Sequence, residues 1–218
     1  MFRSRGVAKV FYHCAEPNTA ALTFDDGPFN WMDQIVDTLD AHGAKGTFFL
    51  NGRNCERIVP LHSLHFRIEV TVFDLDAGDC IYNQPEVDRV KRAFDKGHQI
   101  ASHTWSHAHL NSLSKDQVSS EFSRTIIAIE KITGSAPSCT RPPYGEFNDV
   151  VEDVAAEQSQ NLILWDFDSG DSSGASDAQA EGAYDNLAGR HPDTILALNH
   201  EIRQSTAYAP FMITIDYH

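Results

Sequence analysis

Thr23-Phe24-Asp25-Asp26-Gly27-Pro28 is the stretch around which the chain is organised. Ala21-Leu22-Thr23-Phe24 reads as a short buried strand, which Gly27-Pro28 then breaks. Successive strand residues face opposite sides, so two adjacent aspartates inside a strand could not share a site. At a strand end that is already turning, they can. A carboxylate pair leaving an apolar strand is costly unless a metal or a cation meets it. Taken alone, the segment is better read as a turn that Asp25 caps. Three stretches downstream weigh against that, because they supply what a carboxylate pair needs.

Outward from this strand the chain alternates. Asn30 is placed as an N-cap, Met32, Ile35, Val36 and Leu39 follow at helical spacing, and Gly43 ends the helix. Gly46 to Leu50 is a second strand closed by Asn51-Gly52. Pro85 opens a helix with Val87, Val90 and Phe94 on one face, stopped at Gly97. Ile100 to His103 is a third strand. Ser114 and Gln117 form a capping box for a helix carrying Val118, Phe122, Ile126 and Ile129 to Gly134.

Arg141 to Gly145 is a strand end or loop, and Asn148 caps a helix through Val150, Val151 and Val154. Leu162 to Phe167 reads as one strand, Ala178 to Leu187 as helix, and Thr194 to Asn199 and Phe211 to Tyr217 as strands. Apolar strands alternating with helices mean an α/β fold with a parallel, helix-covered sheet. Whether that sheet is an open doubly wound one or a closed (β/α) barrel is left open by periodicity. No GxGxxG or Walker loop follows the first strand, which weakens the nucleotide-binding version. The segment from Glu56 to Asp79 breaks the rhythm and is expected to be a surface insertion.

Composition sets the remaining bounds. The 218 residues suffice for a single α/β domain, 1–218, with a sizeable core, and 41% apolar with 22% charged residues is ordinary for a globule. No apolar run could span a bilayer. Met1 to Gly6 is basic, but no adequate apolar stretch follows, so no signal peptide is expected in this chain. A formal net charge of −14 argues against nucleic acid and anionic membrane surfaces as partners. The four cysteines (Cys14, Cys55, Cys80, Cys139) lack CxxC spacing, so a zinc finger is disfavoured; up to two disulfides or four free thiols are compatible.

The chemistry gathers after the strands. His103 and His107 in Ser102-His103-Thr104-Trp105-Ser106-His107 would lie roughly 13 Å apart on an extended strand. On one helical turn they come within about 6 Å, right for two imidazoles on one metal. The segment must therefore curl if it binds an ion; otherwise these are two loop histidines. With Asp26 as third ligand the set is two His and a carboxylate, with positions open for water and substrate. Iron(II) oxygenases use such ligands with His and Asp two apart on an all-β sandwich, which does not match this order. Hydrolysis of the zinc type leads, in which a metal lowers the pKa of water to about 7 and polarises a carbonyl. Asp25 is then the candidate general base. Arg141-Pro142-Pro143-Tyr144-Gly145 supplies a guanidinium and a stiff backbone that frees the Tyr144 amide for a ligand. His200, closing the apolar run Ile195 to Leu198, is a candidate general acid.

TFDDGP, SHTWSH, RPPYG and the run ending Asn199-His200, in that order, resemble the polysaccharide deacetylase (NodB-homology) family, also called carbohydrate esterase family four, which includes the chitin deacetylases. The resemblance covers residues from about Val10 to Ala207. It implies a distorted (β/α) barrel with a metal-dependent site at the strand C-terminal ends. By that likeness Asp25 is the base, and Asp26, His103 and His107 bind zinc, cobalt or a similar divalent ion. It further implies that Tyr144 offers its N–H to an oxyanion, His200 is the acid, Arg141 holds Asp25 and Asp171 orients His200. Three features depart from the pattern. Ser172 follows Asp171 where the family usually has tryptophan, with Asp168 as the alternative partner of His200. Glu56 to Asp79 is longer than usual, and the tail after Tyr208 lacks a cysteine that would pair Cys14.

The expected activity is removal of acetyl groups from N-acetylglucosamine units of chitin or its oligomers by a monomer, with no nucleic acid or membrane partner. An O-acetyl esterase acting on xylan and a catalytically weak carbohydrate-binding relative are the alternatives. The family likeness implies a secreted or cell-wall location, and an intracellular one stays open.

Overall fold

Strands this apolar need cover on both faces, and the helices between them carry the matching stripes. The computed structural model describes residues 7–53 and 80–207. Their elements run β1 (Val10–Phe11), β2 (Thr19–Gly27), α1 (Met32–Ala41), β3 (Gly46–Leu50), α2 (Gln84–Asp95), β4 (Gln99–Ser102), α3 (Lys115–Thr133), β5 (Cys139–Thr140), α4 (Asp149–Glu157), β6 (Asn161–Ile163), β7 (Phe167–Asp168), α5 (Asp177–Arg190), β8 (Thr194–His200) and α6 (Gln204–Ala207). The predicted insertion at 56–79, Cys55 and the predicted strand from Phe211 to Tyr217 lie outside the described residues.

Eight strands form one sheet in the order β1-β6-β5-β4-β3-β2-β8-β7, and every described pairing is parallel. From β2 to β6 the order advances one strand at a time without reversal. That is a barrel progression, not a doubly wound sheet with a switch point. The sheet curls into the distorted (β/α) barrel type that the sequence led us to expect.

Its seam corrects one expectation. The run Leu162 to Phe167 is not one strand: β6 pairs with β5 and β1, whereas β7 pairs with β8 at the other edge. Between them the Leu164 N–H donates to the Phe11 carbonyl and the Asp166 N–H to the Leu196 carbonyl. One apolar stretch thus switches partners while crossing from one sheet edge to the other. Its hydrophobicity is continuous because it stays buried or half-buried up to the crossing; the change of partner leaves no mark in the pattern.

The helices dock as their stripes dictate. Met32, Ile35, Val36 and Leu39 of α1 and Val90 and Ala93 of α2 are buried in one core with Phe24, Phe48, Leu50 and Ile100. Val118 and Phe122 of α3, with Val151, Val154 and Ala155 of α4, form a second core with Leu162. The capping box at Ser114 and Gln117 is present, Gly134 closes α3 in the left-handed region (φ 78), and the Asn148 side chain accepts from the Val150 and Val151 N–H groups. A second capping box, Ser176 with Gln179, starts α5 just before the predicted boundary. Asn30 does not cap α1; Trp31 occupies that position without a side-chain cap. β1 was not anticipated, being only two residues long.

Cys80 is disulfide-bonded, whereas Cys14 and Cys139 are free thiols. Among the described residues, no helix is long and apolar enough to cross a membrane.

Candidate metal and catalytic site

β2 does not stop at Phe24 but carries both aspartates, and a bulge separates them. The ladder with β3 pairs Asp25 with Phe49 and then jumps to Gly27 with Leu50. Asp26, left out of the ladder, sits in the left-handed region at φ 72. The extra residue re-aims its side chain, so two neighbours in sequence reach one site from the same strand end.

The His103 to His107 segment curls as metal binding would require. Thr104 and His107 both have left-handed backbone, φ 67 and 55. The turn is held from three directions. The Asn51 side-chain amide donates to the carbonyls of His103 and Thr104. The Glu121 carboxylate of α3 accepts from both the N–H and the hydroxyl of Ser106, each at 2.8 Å. Trp105 is buried against Gly52, where even a Cβ would meet its ring at 2.0 Å. The two imidazoles end with centroids 4.8 Å apart.

The result is a donor set. One ligand atom each from Asp26, His103 and His107 lies within 4.8 Å of the others. Asp26 Oδ1 is 3.6 Å from His103 Nε2 and 3.5 Å from His107 Nε2. His103 Nδ1 lies 2.8 Å from the Arg141 carbonyl, which can only accept, so the proton is on Nδ1 and the Nε2 lone pair faces the other two ligands. Burial holds the ring down at about 3, neutral as a ligand must be. Two imidazole nitrogens and a carboxylate oxygen in this arrangement fit a divalent transition ion.

Asp25 stands apart from this set. It is buried, receives Arg141 Nη1 at 2.8 Å on Oδ1, and points Oδ2 to within 3.6 Å of His103 Nε2. Burial pushes its carboxyl up, while Arg141 and His200 pull it down, and the balance lies above the ordinary value. Arg141 is fully buried and also donates to Thr23 Oγ1 and to the carbonyls of Ile163 and Leu164. It ties Asp25 to the seam of the sheet.

Tyr144 follows at the end of β5 with left-handed backbone, φ 59, and an exposed side chain. No described residue accepts its N–H. Its ring stacks on His109, centroids 4.0 Å apart, and meets His107 edge-on at 4.7 Å.

Across the site, His200 ends β8 beside Asp25, its register partner. Asp171 grips it twice: Oδ1 lies 2.7 Å from Nδ1, and Oδ2 accepts the His200 N–H at 2.7 Å. Burial opposes the imidazolium, but the Asp171 hydrogen bond and the charges of Asp25, Asp171 and Asp26 raise it to about 9. For Asp171 burial again opposes the charged form, and the bonds from His200 and Thr206 overcome it, leaving the carboxylate below its usual range. Asp168 is not the partner; its carboxylate accepts from the Gly170 N–H. Thr206, Glu121 and Glu201 carry no signal in the sequence, and Asn51 shows there only as the close of a strand, because their links to the site cross long intervals of chain. Only the placement of Glu201 directly after His200 could have drawn notice.

Residues 13–163 match the polysaccharide deacetylase family over more than half of the chain. The chain belongs to that family. The polysaccharide deacetylases of this kind are metal-dependent, in keeping with the donor set described. A chitin deacetylase from Pestalotiopsis sp. is 36% identical over 142 residues, 65% of this chain and 39% of that protein. The chain spans less than half the length of the curated relatives it matches. Among solved structures, the chitin deacetylase of Colletotrichum lindemuthianum superposes with a TM-score of 0.79 at 23% identity, covering 96% of this chain and 86% of that one. A family 4 carbohydrate esterase from Streptomyces lividans, in complex with acetate, gives 0.71 at 27% identity, covering 90% and 86%. Both have the fold described above.

Proposed function

We propose that this chain is a metal-dependent deacetylase that hydrolyses the acetamide of N-acetylglucosamine units in chitin or chitooligosaccharides, releasing acetate and leaving glucosamine. The observation that carries this reading is the pairing of a three-residue donor set with a separate, arginine-held carboxylate 3.6 Å from one of its histidines. Relatives named as chitin deacetylases support the substrate class.

Asp26, His103 and His107 would hold the ion, with zinc favoured and cobalt a substitute. When bound, a divalent ion there supplies Lewis-acid polarisation of the acyl oxygen and makes water acidic enough to attack near neutral pH. Asp25 accepts the proton of the attacking water, and Arg141 keeps its carboxylate aimed at that point. The Tyr144 N–H donates to the oxygen on which negative charge develops, a preorganised contact of the type usually largest in acyl transfer. His200 Nε2–H delivers a proton to the nitrogen as the C–N bond breaks, while Asp171 keeps Nδ1 protonated and the ring oriented. An amine leaves only when protonated, so a histidine that the Asp171 carboxylate favours as imidazolium suits an amide better than an ester.

The test is acetate release from chitin oligomers, with acetylated xylan as control and mass spectrometry of the products. Chelation is expected to abolish turnover, and zinc or cobalt to restore it. Acetate from acetylxylan alone would replace the amidase with an esterase. Acetate from neither would favour a carbohydrate-binding relative.

A further inference from the structure

Glu201 is fully buried beside the site, and neither the donor set nor the acid–base pair uses it. Its contacts bracket Asp26. The Glu201 N–H donates to the Asp25 carbonyl at 3.0 Å, and its Oε1 accepts the Phe29 N–H at 2.7 Å. Gly27 lies against the same carboxyl group. A Cβ there would stand 2.0 Å from Glu201 Cδ, and its three nearest atoms all belong to that carboxyl. The glycine is therefore required by close approach, not by its backbone conformation, since its φ is not positive.

What the bracketed residue needs is restraint. Asp26 has left-handed backbone at φ 72 and sits at the bulge, where the ladder to β3 skips it. A non-glycine residue in that region persists only when its surroundings over-determine it. The ladder fixes Asp25 and Gly27 on either side, and the turn beyond Gly27 leads away into α1. Through the Phe29 N–H, the Glu201 carboxyl ties this turn back to the end of β8.

We propose that Glu201 is a positioning residue for the metal site. It clamps the Asp25–Phe29 turn onto β8 and so sets the Asp26 carboxylate against His103 and His107. This rests on the reading of Asp26 as a ligand. Because Glu201 also follows His200 directly, the same clamp fixes the distance between the ligand turn and the acid.

The experiment titrates metal-stripped full-length protein with cobalt(II) alone, read by its visible absorption, and with zinc by competition. Substituting groups that orient a ligand typically costs 10- to 100-fold in affinity, and E201A is expected to fall in that range. Its kcat on chitin oligomers should drop with little change in KM, since the clamp does not face substrate. E201Q keeps an oxygen for the Phe29 N–H and is expected within about threefold of the parent on this scale. G27A should weaken cobalt binding by pushing the carboxyl aside, and should cost nothing further in the E201A background.

Folded E201A that binds cobalt within twofold of the parent would overturn the proposal, as would E201Q as weak as E201A. Should E201A fail to fold, G27A decides, and parent-like cobalt affinity in G27A would overturn it. A parent that binds no cobalt would instead remove the metal reading itself.

Discussion

Two adjacent carboxylates, Asp25 and Asp26, differ in almost everything but composition. Asp25 is buried, arginine-held and pushed up by burial; Asp26 lies outside the ladder among two imidazoles. Their substitutions should separate. Asp25→Asn is expected to keep the metal by elemental analysis while losing roughly 10²- to 10⁴-fold in kcat, the range for a general base. Asp26→Ala should lose the ion. His200 gives the second prediction at this scale. Its pKa is raised from 6.5 to about 9, so the protonated acid is present at neutral pH and lost as pH rises through about 9. The alkaline limb of kcat/KM should fall there, and Asp171→Asn should move that limb to lower pH. The same shift has a stability sign: the His200–Asp171 pair contributes fully below pH 6.5, and its contribution fades between there and about 9. Unfolding midpoints measured across that window for parent and Asp171→Asn should converge at the alkaline end.

Among the elements, α3 links stability to the site. Its N-terminus is closed by the Ser114–Gln117 box, its buried face packs in both cores, and Glu121 on its outer side holds the Ser106 turn between the two histidines. Ser114→Ala should therefore cost about 1 kcal/mol of folding free energy, as caps do. Denaturant midpoints would register this without a change in metal affinity, because the first turn of α3 does not carry Glu121. Element boundaries were legible where a local signal exists: Ser114, Asn148 and Gly134 end helices by hydrogen bonds made within a few residues. The residue type of Asn30 suits a cap that does not form, because the turn before α1 is shaped by distant contacts, among them the Phe29 N–H bond to Glu201.

For the molecule as a whole, charge is the clue beyond the site. Deacetylating chitin turns a neutral polymer into a polyamine, and this protein carries a formal charge of −14. On the proposed activity, the nascent product should be retained electrostatically, favouring repeated action on one chain at low salt. The Debye length falls from about 30 Å at 0.01 M to about 3 Å at 1 M, so the effect should vanish over that range. Mass spectra of partly deacetylated oligomers would check this: clustered multiple deacetylation at low salt, single events at high salt.

What the sequence determined by itself is the alternation of strands and helices, their faces and several caps, because these follow from periodicity and from hydrogen bonds between near neighbours. It also supplied the residue types for a metal hydrolase and their order. The tertiary structure alone decided how they meet. Arg141 reaches Asp25 across 116 positions, and Asp171 reaches His200 across 29. The bulge that turns Asp26 into line arises from the register between β2 and β3, not from the residues of β2 alone. The run from Asn161 to Asp168 divides between opposite sheet edges because a curled sheet brings β1 and β8 within reach of one segment. Such contacts join surfaces that become neighbours only when the sheet curls, so no local pattern could announce them.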